Sequence, residues 1–81
     1  MKAEIGKRYR HWKGNEYTVL AIARLESEPL KEFVVYRAEY ESPDFGMDTV
    51  WLREKTLFEE QIKIEGKMVE RFSMISEADT I

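Results

Sequence analysis

Arg24, Arg37 and Arg53 each sit in a stretch where apolar residues alternate. A guanidinium group grips carboxylate or phosphate through paired, planar hydrogen bonds that a lysine cannot reproduce. Trp51 precedes Arg53 by two positions, and residues two apart on a strand share a face. The four together could seat an anion against a flat apolar wall, with Arg37 stacked on the indole. The competing reading pairs these arginines with Glu32, Glu39, Glu59 or Glu60, each exposed pair contributing about 0–1 kcal/mol. A second set, Tyr9, His11 and Trp12, lies in residues 7–13, KRYRHWK, where cations and rings interleave. That pattern can put Lys7, Arg8, Arg10 and Lys13 on phosphates and Tyr9 or Trp12 on bases.

Other chemistries have less behind them. His11 is the one histidine, and Ser27, Ser42, Ser73 and Ser76 lie in no nucleophile elbow or glycine-rich setting. Glu39, Glu41, Asp44 and Asp48 lack calcium-loop spacing, and without cysteine no zinc pattern exists. The four glycines are isolated, so no loop cradles a nucleotide phosphate. Scattered glutamates could serve a small hydrolase or sugar-active protein, but nothing in the pattern spaces two carboxylates for it. The reading assigns no catalytic residue, metal or cofactor, and favours binding over catalysis.

These side chains need a scaffold, and the longest β-branched and aromatic run, residues 32–40 (EFVVYRAEY), anchors it. Both of its faces carry apolar residues, the mark of a central strand covered twice. Residues 7–13 read as a strand ending at the turn Gly14-Asn15, and residues 16–25 as the next strand. Residues 26–31, with Pro29, read as a polar loop, and residues 41–47 as another. Residues 48–53 form a fourth strand, and residues 54–60 a single helical turn. Residues 61–64 and 68–75 close the chain as a hairpin around Glu65-Gly66-Lys67. The faces match if Arg37 opposes Trp51, Tyr36 opposes Leu52 and Ala38 opposes Val50. The core is then Val19, Ala21, Ala23, Val34, Tyr36, Ala38, Val50 and Leu52. The outer patch holds Leu20, Ile22, Val35 and Trp51, ringed by the three arginines. The fold expected is an all-β, SH3-like antiparallel barrel of five or six strands. Residues 1–76 form its single domain, and residues 77–81 a frayed end.

Several of these segments, taken as a set, resemble one family. Tyr9 through Tyr17 (YRHWKGNEY), Val19, Ile22-Ala23-Arg24, Val34 through Ala38 (VVYRA), Trp51-Leu52-Arg53, Phe58, Gly66-Lys67 and Arg71-Phe72 are similar to the small bacterial domain of unknown function 1653. The similarity runs over about residues 6–72. Trp12 stands where that family usually has Tyr or Phe, Glu54 where it has Pro, and the loop at residues 41–48 is longer. The resemblance implies a compact bacterial β domain and carries no mechanism with it.

Composition bounds the rest. Eighty-one residues can bury roughly 60% of the unfolded surface, enough for one small core. The absence of cysteine fits a reducing compartment, and residues 1–12 lack a signal-peptide apolar region, so the expectation is a cytoplasmic protein off the membrane. With 13 basic against 16 acidic residues, a broad nucleic-acid surface is disfavoured, though a local patch is not. The function expected is a non-catalytic module binding a peptide or an anionic small molecule. A nucleic-acid binder is the alternative, and a monomer or weak homodimer pairing through an uncovered strand edge is the assembly expected.

Overall fold

Short-range alternation dictates most of the sheet. The computed structural model describes residues 1–76; the frayed end expected over residues 77–81 lies outside them. Strand β1 (Arg8–His11) turns at Gly14 into β2 (Glu16–Leu25), which runs through Glu26-Ser27 into β3 (Glu28–Ala38). Strand β4 (Val50–Glu54) leads straight into the helical turn α1 (Lys55–Phe58). Then come β5 (Gln61–Ile64), β6 (Lys67–Glu70) and β7 (Phe72–Met74). The β5–β6 turn has Glu65 and Gly66 both at positive φ, 50° and 81°, which matches the right-handed twist of the strands it joins.

The architecture is mainly β and antiparallel, as expected, but the barrel is not closed. One sheet has the order β4-β3-β2-β1-β7, and β5-β6 form a separate pair. Strands β4 and β7 are its two edges. The expected closing hairpin splits: β6 ends at Glu70, and β7 leaves it to pair with β1, placing Phe72 opposite His11 and Met74 opposite Tyr9. The polar loop expected at residues 26–31 is instead strand for most of its length. Pro29 is accommodated there because β3 runs past the end of β4 and its register against β2 shifts.

Two register features overturn the expected faces. In the β2–β3 pair, Val19 faces Tyr36 but Ala21 faces Val35, so Leu20 is an extra residue in a bulge. Beyond it, Ile22 turns inward beside Val34, while Ala21 and Ala23 turn outward. In the β3–β4 pair, Tyr36 faces Trp51 and Arg37 faces Val50, one residue away from the expected match. A one-residue slip exchanges the faces of a strand. Trp51 and Arg53 therefore point inward, whereas Val50 and Leu52 stand 55% and 61% exposed rather than in the core.

The inner face is aromatic. Tyr9, Tyr17, Val19, Val34, Tyr36, Ala38, Phe58 and Phe72 are buried there. Phe58 is what α1 contributes: its ring stacks on Phe72 at 4.0 Å and 6°, and meets Tyr9 and Tyr36 edge-on at 5.3 and 5.4 Å. Each such pair adds about 0.5–1.5 kcal/mol beyond its buried area. Residues 1–4 close the far end. The Tyr9 hydroxyl donates to the Lys2 carbonyl and accepts from the Glu4 N–H, both at 2.8 Å, and Ala3 is buried above it. Among the described residues, no helix is long and apolar enough to cross a membrane.

Candidate functional site

Where α1 stops covering the inner face, a cleft of about 270 Å³ opens. Strand β1 and its turn supply His11, Lys13 and Asn15; β2 supplies Tyr17 and β3 Tyr36. Tyr40 follows β3, β4 carries Trp51 and Arg53, and Phe72 comes from β7. Alternation explains the convergence: Tyr17, Tyr36, Trp51 and Arg53 all sit at inward positions of neighbouring strands.

The floor is rigid. The rings of Tyr17 and Tyr36 meet edge-on at 5.2 Å, and Tyr17 meets Phe72 at 5.8 Å. The hydroxyls of Tyr17 and Tyr40 share one hydrogen bond of 2.8 Å. Burial raises the Tyr17 pKa far above the ordinary phenol value, so it stays a neutral hydroxyl. Arg53 is fixed from two sides. Its Nε donates to the Tyr36 hydroxyl at 3.3 Å, and its guanidinium carbon lies 5.6 Å from the centre of the Phe72 ring. Cation–π contact of this kind holds a guanidinium without neutralising it.

His11 is half-buried with its ring edge-on to Phe72 at 4.9 Å. Its Nδ1 accepts from the Lys13 N–H at 3.2 Å, which leaves the proton of the neutral ring on Nε2. Burial pushes its pKa down, and Arg53, Arg71 and Lys13 push it further. The hydrogen-bonding groups of the cleft are thus mostly donors: Arg53, the Lys13 ammonium, His11 Nε2–H and the Asn15 amide. Among the described residues, no carboxylate lines it.

Several cations outside the cleft are paired. Arg8 reaches Glu39 at 2.8 Å and Glu16 at 2.9 Å; Arg10 reaches Glu16 at 2.9 Å; Arg71 reaches Glu60 at 3.2 Å. A second hollow, beside α1, pairs both of its lysines, Lys31 with Glu54 at 3.5 Å and Lys55 with Glu59 at 3.2 Å. Among the described residues, no ion pair engages Arg53 or Lys13 with an acid, and no cluster of three ligating side chains could hold a metal.

The arginine face expected from the sequence is not assembled as drawn. Trp51 and Arg53 come together in the cleft. Arg37 lies on the opposite face of the sheet, across from Thr18 and Val50. Arg24 sits at the far end of β2, 3.6 Å from Glu32 and donating to the Pro29 carbonyl at 2.7 Å. From the second set, His11 lines the cleft. Trp12 is 40% exposed near its rim, with the Lys13 ammonium 5.4 Å from its ring centre, and Tyr9 is wholly buried. Sequence reasoning missed Tyr17, Tyr36, Tyr40, Asn15 and Phe72 as cleft walls. For Tyr17, Tyr36 and Phe72 the one signal is inward parity, which is also the signal for an ordinary core aromatic; Asn15 and Tyr40 lie outside the strands and carry none.

No curated protein and no solved structure matches the chain. A family match covers residues 7–74, which takes in every wall of the cleft. The chain belongs to the family described as protein of unknown function (DUF1653).

Proposed function

We propose that this chain is a binding module whose cleft takes a small carboxylate or phosphate that carries a flat apolar part. The observation that carries the reading is the charge of the cleft: in a chain of net charge −3, the cleft gathers His11, Lys13 and Arg53, and among the described residues no acid lines it. Low-dielectric aromatic walls focus that positive field. Arg53 is already held by Tyr36 and Phe72, so a carboxylate or phosphate arriving on it orders little that is not ordered already. The aromatic rings would also suit a methylated ammonium, since such cages bind cations over their faces. The cations and the missing acids argue against that ligand.

The volume supports one small molecule rather than a long segment, being just below the roughly 300–1,000 Å³ of common ligand pockets. The reading is recognition without turnover. The test is an NMR titration with benzoate, indole-3-acetate, adenosine monophosphate and tetramethylammonium, watching the Trp51 indole and the His11 ring. Aromatic acids or the nucleotide should shift both resonances, and tetramethylammonium neither. Arg53→Met should weaken binding at least about tenfold, as loss of a charge-assisted pair does. Cleft resonances that move only with the ammonium would overturn the proposal, and so would anion binding unaffected by Arg53→Met.

A further inference from the structure

The walls of the cleft are of two polar kinds. His11, Lys13 and Arg53 are basic; Tyr17 and Tyr40 are phenolic. The Phe72 ring stands against both kinds, with the Arg53 guanidinium carbon 5.6 Å from its centre and the Tyr17 ring 5.8 Å from it. Tyr40 is fixed although it lies beyond the end of β3. Just before it, the Glu39 N–H donates to the Glu16 carbonyl at 2.9 Å, and just after it Ser42 bridges to Gly46. Its ring meets Tyr17 edge-on at 5.5 Å, and the two hydroxyls lie 2.8 Å apart. Which of them donates follows from what each can reach.

A hydroxyl has one proton to give and two lone pairs. Tyr17 is only 9% exposed, and among the described residues its hydroxyl has two hydrogen-bond partners, Tyr40 and the Asn15 side chain. Asn15 draws the Tyr17 pKa down, as an amide N–H donating to the oxygen does, since that bond favours the phenolate. The Tyr17 proton is then left to the Tyr40 oxygen. Were Tyr40 the donor, that proton would be buried with no acceptor, a cost that buried hydroxyls avoid. Hydrogen bonds thus run from Asn15 through Tyr17 to Tyr40, and each polarises the next. The proton of Tyr40, a cleft wall, is left for whatever fills the cleft. We propose that Tyr40 is a specificity-determining residue, donating this proton to a neutral oxygen on the flat part of the ligand, away from the acid group on Arg53. The inference rests on the anion-binding reading of the cleft and narrows its ligand to an aromatic acid bearing a second acceptor, such as a ring ketone or aldehyde. A second carboxylate is disfavoured, because among the described residues no cation bonds either hydroxyl and a desolvated charge needs one. Water can satisfy Tyr40 while the cleft is open. A ligand that displaces this water with hydrocarbon forfeits the bond, and one that brings an acceptor keeps it.

The probes are 3-acetylbenzoate and 4-acetylbenzoate, each set against its isopropenyl analogue, in which a methylene group replaces the ketone oxygen and the shape is kept. Dissociation constants come from NMR titration of the Trp51 indole. At least one acetyl isomer should bind about three- to tenfold tighter than its analogue, the range that one neutral hydrogen bond supplies. Tyr40→Phe keeps the ring and should erase that preference. Tyr17→Phe leaves the Tyr40 hydroxyl in place but no longer aims it, and should reduce the preference without erasing it. Equal affinities within both pairs in the wild type, with the acids themselves bound, overturn the inference and leave the cleft reading standing. A preference that survives Tyr40→Phe gives the second acceptor to another donor and refutes the assignment, and one unchanged in Tyr17→Phe refutes the relay that aims it. If none of the four acids shifts the Trp51 indole, the cleft reading fails and this inference falls with it.

Discussion

His11 sits among like charges, and that sets its response to acid. Burial and then Arg53, Arg71 and Lys13 hold its folded pKa below the ordinary 6.5. The unfolded chain thus binds the proton more readily than the folded one. The stability contributed by neutral His11 is fully present above pH 6.5 and is lost as pH falls through the folded pKa. Thermal midpoints measured downward from neutral pH should decline over that window, and His11→Gln should remove the part of the decline that belongs to this ring. An equal slope in His11→Gln would show that other groups cause it. An anion in the cleft reverses the electrostatics. It offsets Arg53 and Lys13, so the His11 pKa should rise on binding, protons should be taken up, and affinity should grow as pH falls. His11, Trp51 and Arg53 could be nominated from sequence because a lone histidine and a Trp beside an Arg are conspicuous residue types. That Arg24 and Arg37 do not join them was not legible, because face-sharing between strands depends on register, which side-chain type alone does not set.

Strand β4 shows why register was hard to read. Its pattern VWLRE offers two apolar faces, Val50 with Leu52 or Trp51 with the stem of Arg53, and both are credible core faces. Pure aliphatics suggested the first. The structure selects the second, because Trp51 packs beside Tyr36 and an outer face of Val and Leu can be left exposed in a way that the larger ring cannot. The bulge at Leu20 leaves no mark in the alternation on either side of it, so the inward turn of Ile22 was equally hidden. Local features with their own chemistry fared better. Strand β2 has the limits expected, α1 falls within residues 54–60, and the β5–β6 turn is at Glu65-Gly66. The register makes a mutational contrast. Leu52→Thr removes an exposed side chain from a strand and should change stability by no more than about 0.5 kcal/mol. Phe58→Ala removes the single buried anchor of α1 and should cost about 3–5 kcal/mol. Urea midpoints of the two variants decide it: a Leu52→Thr loss as large as that of Phe58→Ala would restore the register in which Leu52 is core.

At the scale of the whole molecule, closure comes from the first residues rather than from the last hairpin. A barrel was expected because short strands and tight turns usually close on themselves. Here β7 ends the sheet beside β1, and residues 1–4 fold over the open end of the inner face. The sequence hid this, since MKAE has no strand or helix signal and its contribution is made by backbone groups. The Ala3 N–H donates to Glu59 at 2.7 Å, tying the start of the chain to the residue after α1. The Lys2 carbonyl and Glu4 N–H both serve the Tyr9 hydroxyl, a polar group on a side chain with no exposure at all. A buried hydroxyl left without partners costs about 1–3 kcal/mol, whereas one that water can reach costs far less. The lead-in and the Tyr9 hydroxyl are therefore coupled, and a double-mutant cycle reads the coupling directly. Tyr9→Phe in the full chain strands the Lys2 carbonyl and Glu4 N–H and should cost about 1 kcal/mol. Removing residues 1–4 should cost more, because it also exposes Tyr9 beside Phe58. In the shortened chain, the same Tyr9→Phe change should be close to neutral, since the hydroxyl no longer has protein partners to lose. Equal costs of Tyr9→Phe in the two backgrounds, measured by urea unfolding, would mean that the first residues lie on the core without closing it.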